Sequence, residues 1–502
     1  MEGQGQGQGQ SHRVDTPLID ACRYGRADAA AAFLEGGADV NEPTTGGSGA
    51  TALCVACLQG HTEVVALLLT NGAAVNQASD EGATPLLMAC QDGYSEVVSA
   101  LLANSAAVNQ ASDEGATPLY MACQNGHTKA AAALLANSAA VNQAADDGTT
   151  PLYMACQDGH SEVVSLLLSN GAAVNQAKDA GATPLYIACQ NGHTEAVTLL
   201  LTNTAAVNQA KDNGATPLLM ACQHGHTEVA ALLLTNGAAV YQASGDGITP
   251  LCVACLQGHT EVAALLLTNG AVVNQANNNG ATPLFFACQS SRTEVVSLLL
   301  INGAAVNQAV DNGATPLYMA CRQGHLECVQ LLSSHSASRS FTSAMTGWTA
   351  ERVAEGQGHN EVVSWLTTSR LWSTPLHHIS TITSERARGL LRDGADLNAM
   401  ATVDGPTPLS LALRLCRAGN AAEGTAAHLV LQAARLWSEQ THQLFPAAAR
   451  MRAVSLLLLG YCCSRQERFV GQEVAFFDAW VHHVMPHAVY RAFCMRYDSG
   501  CL

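Results

Sequence analysis

The amino-acid sequence predicts an all-α solenoid of stacked helix–turn–helix units with β-hairpin or turn fingers between them, followed by a small helical C-terminal domain. Three observations predict it. One motif recurs with a fixed period through most of the chain, and nine cysteines keep that period: Cys57, Cys90, Cys123, Cys156, Cys189, Cys222, Cys255, Cys288 and Cys321. The chain has 502 residues, which suits several domains or one extended array better than a single ordinary core. It is 48% apolar but only 5% aromatic, so the core must be built from Ala, Leu, Val and Cys, which fit closely packed short helices.

Each element has a local reason. In the unit that opens at Gly115, Thr117 can cap a helix through its hydroxyl. Pro118 follows at the first helical position, where the missing amide hydrogen costs nothing. Leu119, Ala122 and Cys123 recur at helical spacing as an apolar face, and Gly126 ends the helix in the left-handed conformation. In the next unit, after Gly159, Ser161 is the expected cap of the second helix and Glu162 favours its N-terminal dipole. Val163, Val164, Leu166, Leu167 and Leu168 give its apolar stripe, Asn170-Gly171 ends it, and Val174-Asn175 leads into a turn. Neither helix can bury its face alone, so stacking of units must supply one continuous core.

The recurring Cys and His positions read as structure rather than chemistry. Equivalent residues in stacked helices stand roughly 8–10 Å apart, whereas a disulfide needs Cα atoms within about 7 Å. The cysteines are therefore expected to be reduced, buried small hydrophobes. His61, His127, His160, His193, His226, His259 and His325 follow the inter-helix glycine and read as turn-stabilising residues, since histidines one repeat apart cannot share a metal. His482-His483 with His487, Cys494 and Cys501 matches no standard zinc spacing, and Cys462-Cys463 reads as helix packing. No phosphate-loop, nucleophile-elbow, kinase or His-Glu-x-x-His signature is present. No cofactor, metal or catalytic residue is expected, and the chain is not read as an enzyme.

Gly148-Thr149-Thr150-Pro151-Leu152-Tyr153-Met154-Ala155-Cys156, then Gly159-His160 and Gly171-Ala172-Ala173-Val174-Asn175, resembles the ankyrin repeat. The resemblance covers about 14 to 413, in roughly thirteen units: ten regular and three degenerate. It departs in two places. The family's His after Thr-Pro-Leu is here Leu87, Tyr120, Tyr153, Tyr186, Leu219, Cys252, Phe285 or Tyr318, leaving tyrosine hydroxyls as candidates to tie neighbouring turns. The signature's second Ala is the Cys ladder. Thr374-Pro375-Leu376-His377 restores the motif in a late unit. The resemblance implies protein binding on a concave face, and it places Asn76, Asn109, Asn142, Asn175, Asn208, Asn274 and Asn307 at the position where such repeats can be hydroxylated. The aromatic stripe of Tyr120, Tyr153, Tyr186, Phe285 and Tyr318 reads first as inter-repeat packing.

The expected organisation is a Gly/Gln tail at 1–13, regular repeats at 14–333, a Ser-rich linker at 334–346, degenerate repeats at 347–417 and a helical domain or cap at 418–502. All five tryptophans lie beyond Gly347. The Gly/Gln stretch lacks an apolar signal-peptide core and no run reaches the ~20 apolar residues of a membrane helix, so a cytoplasmic or nuclear, monomeric protein is expected.

The net charge is −17. Between Glu42 and Ala320 stand 4 Lys and Arg against 20 Asp and Glu, so nearly all of the excess lies in the array. Such an array repels nucleic-acid phosphates and suits a basic or extended protein segment. The candidate binding residues are those most open to a partner. At the tips these are Asp80, Glu81, Asp113, Glu114, Asp146, Asp147, Asp179 and Asp212. At the first-helix ends they are Gln91, Asp92, Gln124, Asn125, Gln157, Asp158, Gln190, Asn191, Gln223 and His224. The function expected is a protein-interaction scaffold. The alternative is a substrate adaptor of a ubiquitin ligase, with the C-terminal helices docking the ligase through a segment such as Val484-Met485-Pro486-His487.

Overall fold

A computed structural model describes residues 16–44, 48–370, 372, 374–400, 405–434 and 444. The expected tail at 1–13, most of 418–502, the His482–Cys501 group, Cys462-Cys463 and the Val484–His487 segment lie outside the described residues. The chain forms two compact units, Met1–Val272 and Val273–Leu502. The described part of the first holds eight helix pairs, from Pro17–Arg23 with Ala27–Glu35 to Pro250–Gln257 with Thr260–Thr268. The described part of the second holds five, from Pro283–Gln289 with Thr293–Ile301 to Pro408–Arg417 with Ala426–Ala433. In one of these five a 3-10 turn, Pro375–His378, stands in for the first helix. The fingers are turns: among the described residues the only strand-like pairing is an isolated antiparallel bridge between Thr342 and Thr349.

First helices begin as expected. Thr117 Oγ1 accepts the Tyr120 amide at 3.1 Å and Thr150 Oγ1 accepts that of Tyr153 at 3.2 Å, each ahead of a proline at the helix start. The core is also as expected: Leu119, Ala122, Cys123, Ala130, Ala131 and Leu134 are almost wholly buried, and each Leu contributes about 2 kcal/mol by leaving water.

Second helices differ from expectation. Ser161 is not a cap but the first residue of its helix, Ser161–Ser169, and its hydroxyl donates to the Glu195 carboxylate at 2.7 Å. His160 holds the cap position without a side-chain cap bond. Its ring is committed to the preceding repeat: Nε2–H donates to the Gln124 carbonyl at 3.0 Å. The same bond joins His127 to Gln91, His193 to Gln157, His226 to Gln190 and His259 to Gln223, and in the second unit His325 to Gln289 and His359 to Arg322. The rings of His127, His160, His193, His226, His259 and His359 lie on the inter-helix glycine of the repeat before, whereas the repeat before His325 has Ser291, with φ 56°, at that position. At Gly126, with φ +74°, a Cβ would stand 2.6 Å from His160 Nδ1, so both conformation and space require glycine. Tyr94 takes the same seat over Gly60.

Two further ladders tie neighbours. Asn76 Oδ1 accepts the Ala107 amide at 2.7 Å, and Asn109, Asn142, Asn175 and Asn208 repeat this one unit further each time. At the tips, the Asp113 amide donates to the Glu81 carbonyl and the Asp146 amide to the Glu114 carbonyl, at 3.2 and 3.3 Å. Residues 334–346 join both ladders in the second unit: the Ser338 amide donates to Asn307 Oδ1 and the Ala344 amide to the Asn312 carbonyl. The stretch exceeds a regular finger by a single position, as the step from Thr315 to Thr349 shows beside that from Thr282 to Thr315. The expected boundary at 417/418 falls between two helices that share one core, built from Leu391, Leu411, Ala412, Leu429 and Val430.

After the second helix, Gly72, Gly171, Gly237, Gly270 and Gly303 hold positive φ with no atom within 4 Å of a would-be Cβ. Ser105, Ser138 and Thr204 occupy that same position with φ 63°, 65° and 65°. The cost there is purely conformational, and it is largest for the β-branched threonine. Thr204→Gly is expected to stabilise the first unit by about 0.5–1 kcal/mol, with Ser105→Gly gaining less. A urea midpoint unchanged or lowered in Thr204→Gly would contradict this.

Among the described cysteines thirteen are buried and Cys416 is exposed, and none of these is joined in a disulfide. Desolvation pushes the buried thiols upward, Cys22 and Cys321 to about 12 and Cys328 to about 11. A raised folded pKa means the unfolded state loses its thiol protons first. Stability from this source is complete below about pH 8.5 and falls as pH climbs toward the folded values, by up to about 1.4 kcal/mol per pH unit per cysteine. Urea midpoints at pH 8, 9 and 10 should therefore decline steeply, and Cys123→Ala with Cys156→Ala should flatten the decline. An unchanged slope in that double variant would refute it.

Candidate functional site

The acidic tips and first-helix ends of the first unit are exposed, with Gln124, Gln157, Gln190 and Gln223 half-buried. Their side chains do different jobs. In each tip the first acid is turned back onto the previous tip's glycine. A Cβ on Gly82 would stand 2.5 Å from Asp113 Oδ1, and one on Gly115 would stand 2.7 Å from Asp146 Oδ1. Asp80 faces Gly49, Asp179 faces Gly148 and Asp212 faces Gly181 in the same way. These five aspartates hold the tips in register. The second tip residue gives its carbonyl to the next tip and leaves its side chain outward, as in Glu81 and Glu114. Asp147 is intermediate: it accepts the Thr149 amide at 2.9 Å and pairs with Lys178 Nζ at 3.4 Å. The Thr149 side chain foremost, and then its amide and Lys178, hold the Asp147 carboxyl below the usual range.

The helix ends divide likewise. Asn125 Nδ2 donates to the Met121 carbonyl at 3.0 Å and Asn191 Nδ2 to the Gln157 carbonyl at 2.7 Å, so both amides are engaged. The Gln91, Gln124, Gln157, Gln190 and Gln223 carbonyls serve the histidine ladder. His224 stacks on His226 with centroids 6.1 Å apart, and desolvation and then that neighbour lower its pKa. Asp92 and Asp158 are exposed acids at their helix ends.

The aromatic stripe lies beneath this surface. Tyr153 and Tyr186 are 4% and 6% exposed, whereas Tyr120 is half-buried. Lys178 Nζ stands 5.3 Å from the Tyr153 centroid and Lys211 Nζ 6.0 Å from that of Tyr186. Burial foremost, with the charges of Asp147, Asp158 and Glu114 next, raises the Tyr120 phenol. Sequence reasoning passed over the two lysines. The available signal was a shared spacing: Lys178 follows Tyr153 as Lys211 follows Tyr186, and Ala145 holds that place after Tyr120.

In the second unit, His377 Nε2–H donates to the Pro406 carbonyl at 2.9 Å and ties its turn to the next. Tyr318 and Thr346 share a hydroxyl bond at 3.4 Å. His378 is buried against Trp365 and Trp372, and desolvation foremost lowers its pKa to about 3. Among the described residues no three His, Cys, Asp or Glu side chains are grouped to hold a metal, and no helix is long and apolar enough to cross a membrane.

These assignments separate two kinds of tip acid. Asp146→Ala should lower the urea midpoint of the first unit, while Glu114→Gln should leave stability within about 0.5 kcal/mol. Equal effects of the two substitutions would remove the distinction.

A family model described as ankyrin repeats (3 copies) matches residues 18–112, 103–178, 170–244, 236–310 and 300–371. No curated protein matches the chain. Among solved structures it is similar to the human ASB11 ankyrin repeat domain, with 30% identity, coverage of 44% of this chain and 97% of that one, and a TM-score of 0.41.

Proposed function

The chain belongs to the ankyrin repeat family, and on that premise we propose that it is a scaffold whose finger tips and first-helix ends capture a basic or extended segment of a protein partner. Ankyrin repeats are generally protein–protein interaction modules, and that usage supports a binding role here. The observation that supports a basic segment is the row of outward acids in the first unit. Glu81 and Glu114 are carried on tips spaced by backbone hydrogen bonds, with Asp147, shared with Lys178, on the next tip and Asp92 and Asp158 at the adjacent helix ends. A surface of one sign raises the encounter rate with cationic segments and repels phosphate backbones. The compartment proposed is the cytoplasm or nucleus.

Proximity labelling with the full chain supplies the partner, and its affinity is then measured against ionic strength. Binding should weaken steadily toward about 0.5 M salt, where the Debye length is only a few ångströms. Glu81→Gln, Glu114→Gln and Asp147→Asn together should cost about 5- to 10-fold in affinity at low salt, mainly in association rate. Affinity indifferent to both changes would count against the acidic face as the partner surface.

A further inference from the structure

Two consecutive repeats of the first unit carry a built-in cation site. Lys178 reaches from its finger over the Tyr153 ring and pairs with the Asp147 carboxylate. One repeat later Lys211 takes the same place over Tyr186. An ammonium within about 6 Å of an aromatic face and beside a carboxylate is favoured by both the ring quadrupole and the charge. The lysine stem also covers the ring, which accords with the near-complete burial of Tyr153 and Tyr186.

One repeat earlier the same framework lacks its lysine. Shifting each residue back by one period puts Tyr120 at the position of Tyr153, Glu114 at that of Asp147, and Ala145 at that of Lys178. The same hydrogen bond closes both fingers: the Ala145 amide donates to the Thr149 carbonyl at 2.9 Å, as the Lys178 amide does to Ala182 at 3.0 Å. A methyl group cannot cover the ring, and Tyr120 is half-buried where its successors are buried. The acids are more numerous here. Glu114 and Asp147 come from the two tips, and Asp158 stands where the next repeat has Asn191. Among the described residues neither Glu114 nor Asp158 has an ion-pair partner. Neighbouring levels differ in the decisive group: Leu87 and Leu219 replace the tyrosine.

We propose that Tyr120, Glu114 and Asp158, with Asp147 beside them, form the anchor site for one lysine or arginine side chain of the protein partner, occupying the place that Lys178 and Lys211 fill from within the chain in the next two repeats. The proposal rests on the partner-capture reading above and names the point on that surface where a cationic side chain is held. The ring supplies a face, the two unpaired carboxylates supply charge, and Ala145 leaves the entry open. A basic segment lying along the tips then has one fixed register, set by the level at which the chain supplies an aromatic but no cation of its own.

The test uses the whole 502-residue chain and tetralysine as probe, with affinity measured calorimetrically at low salt. Ala145→Lys supplies the missing side chain and should weaken tetralysine binding by at least about 5-fold. Ser112→Lys places the same added charge one repeat earlier, above Leu87, and should weaken it by no more than about 2-fold. Tyr120→Leu keeps a residue this position accepts at 87 and 219 and should also weaken binding more than Ser112→Lys does, while Glu228→Gln, on a second helix, should have no effect. Unchanged thermal melting confirms that each variant is folded. Equal weakening by Ala145→Lys and Ser112→Lys, or wild-type affinity in Tyr120→Leu, overturns this site and leaves the acidic-surface reading standing. No tetralysine binding by the wild-type protein overturns both.

Discussion

Helices of only two or three turns are too short to persist in water by themselves, and this shortness makes every contact between neighbouring repeats decisive. The histidine strap is the contact on which register depends. Its Nε2–H ends on the carbonyl that closes the preceding first helix, and its ring lies on the glycine that lets the chain turn there. One side chain thus satisfies an otherwise unpaired helix-end carbonyl and fixes the distance between repeats. The asparagine ladder and the tip ladder run parallel to it, so regular neighbours such as those joined by His160, Asn142 and Asp146 are held at three levels.

This redundancy frees the rest of the surface. Because backbone amides and turned-back aspartates set the spacing of the tips, residues such as Glu81 and Glu114 carry no structural bond through their side chains and can be read as functional. The Cys ladder plays the converse role. Its thiols are small, fully desolvated and protonated, and they allow first helices to approach closely without adding a polar group that would need a partner.

The second unit relies on larger side chains where its repeats lose regularity. From Thr349 to Thr374 the motif returns well before a full period has passed. Trp372 packs edge to face against both Trp365 and His378 in the shortened stretch, and Arg339 donates to the Leu366 carbonyl and the Ser369 hydroxyl at the end of Asn360–Thr368. Aromatic bulk here takes the place of the missing finger, and His377 supplies a turn tie like the one between Tyr318 and Thr346.

What the sequence determined by itself is everything whose cause lies within a few residues: the Thr-Pro helix starts, the left-handed glycines, the apolar stripes and the buried cysteine register. The fixed period also sufficed to foretell stacking, since such helices have no other way to bury their faces. Tertiary structure decided what depends on a partner one repeat away. Ser161 reads locally as a cap, yet its hydroxyl serves Glu195 because His160 is drawn to Gln124. Asp113 and Glu114 look equivalent as letters, yet one is turned onto Gly82 and the other faces outward. Lys178 and Tyr153 are distant in the chain and meet only because the finger folds back over the first helix. Composition and local propensity fix short elements, but the register of stacking selects which of many like side chains come together.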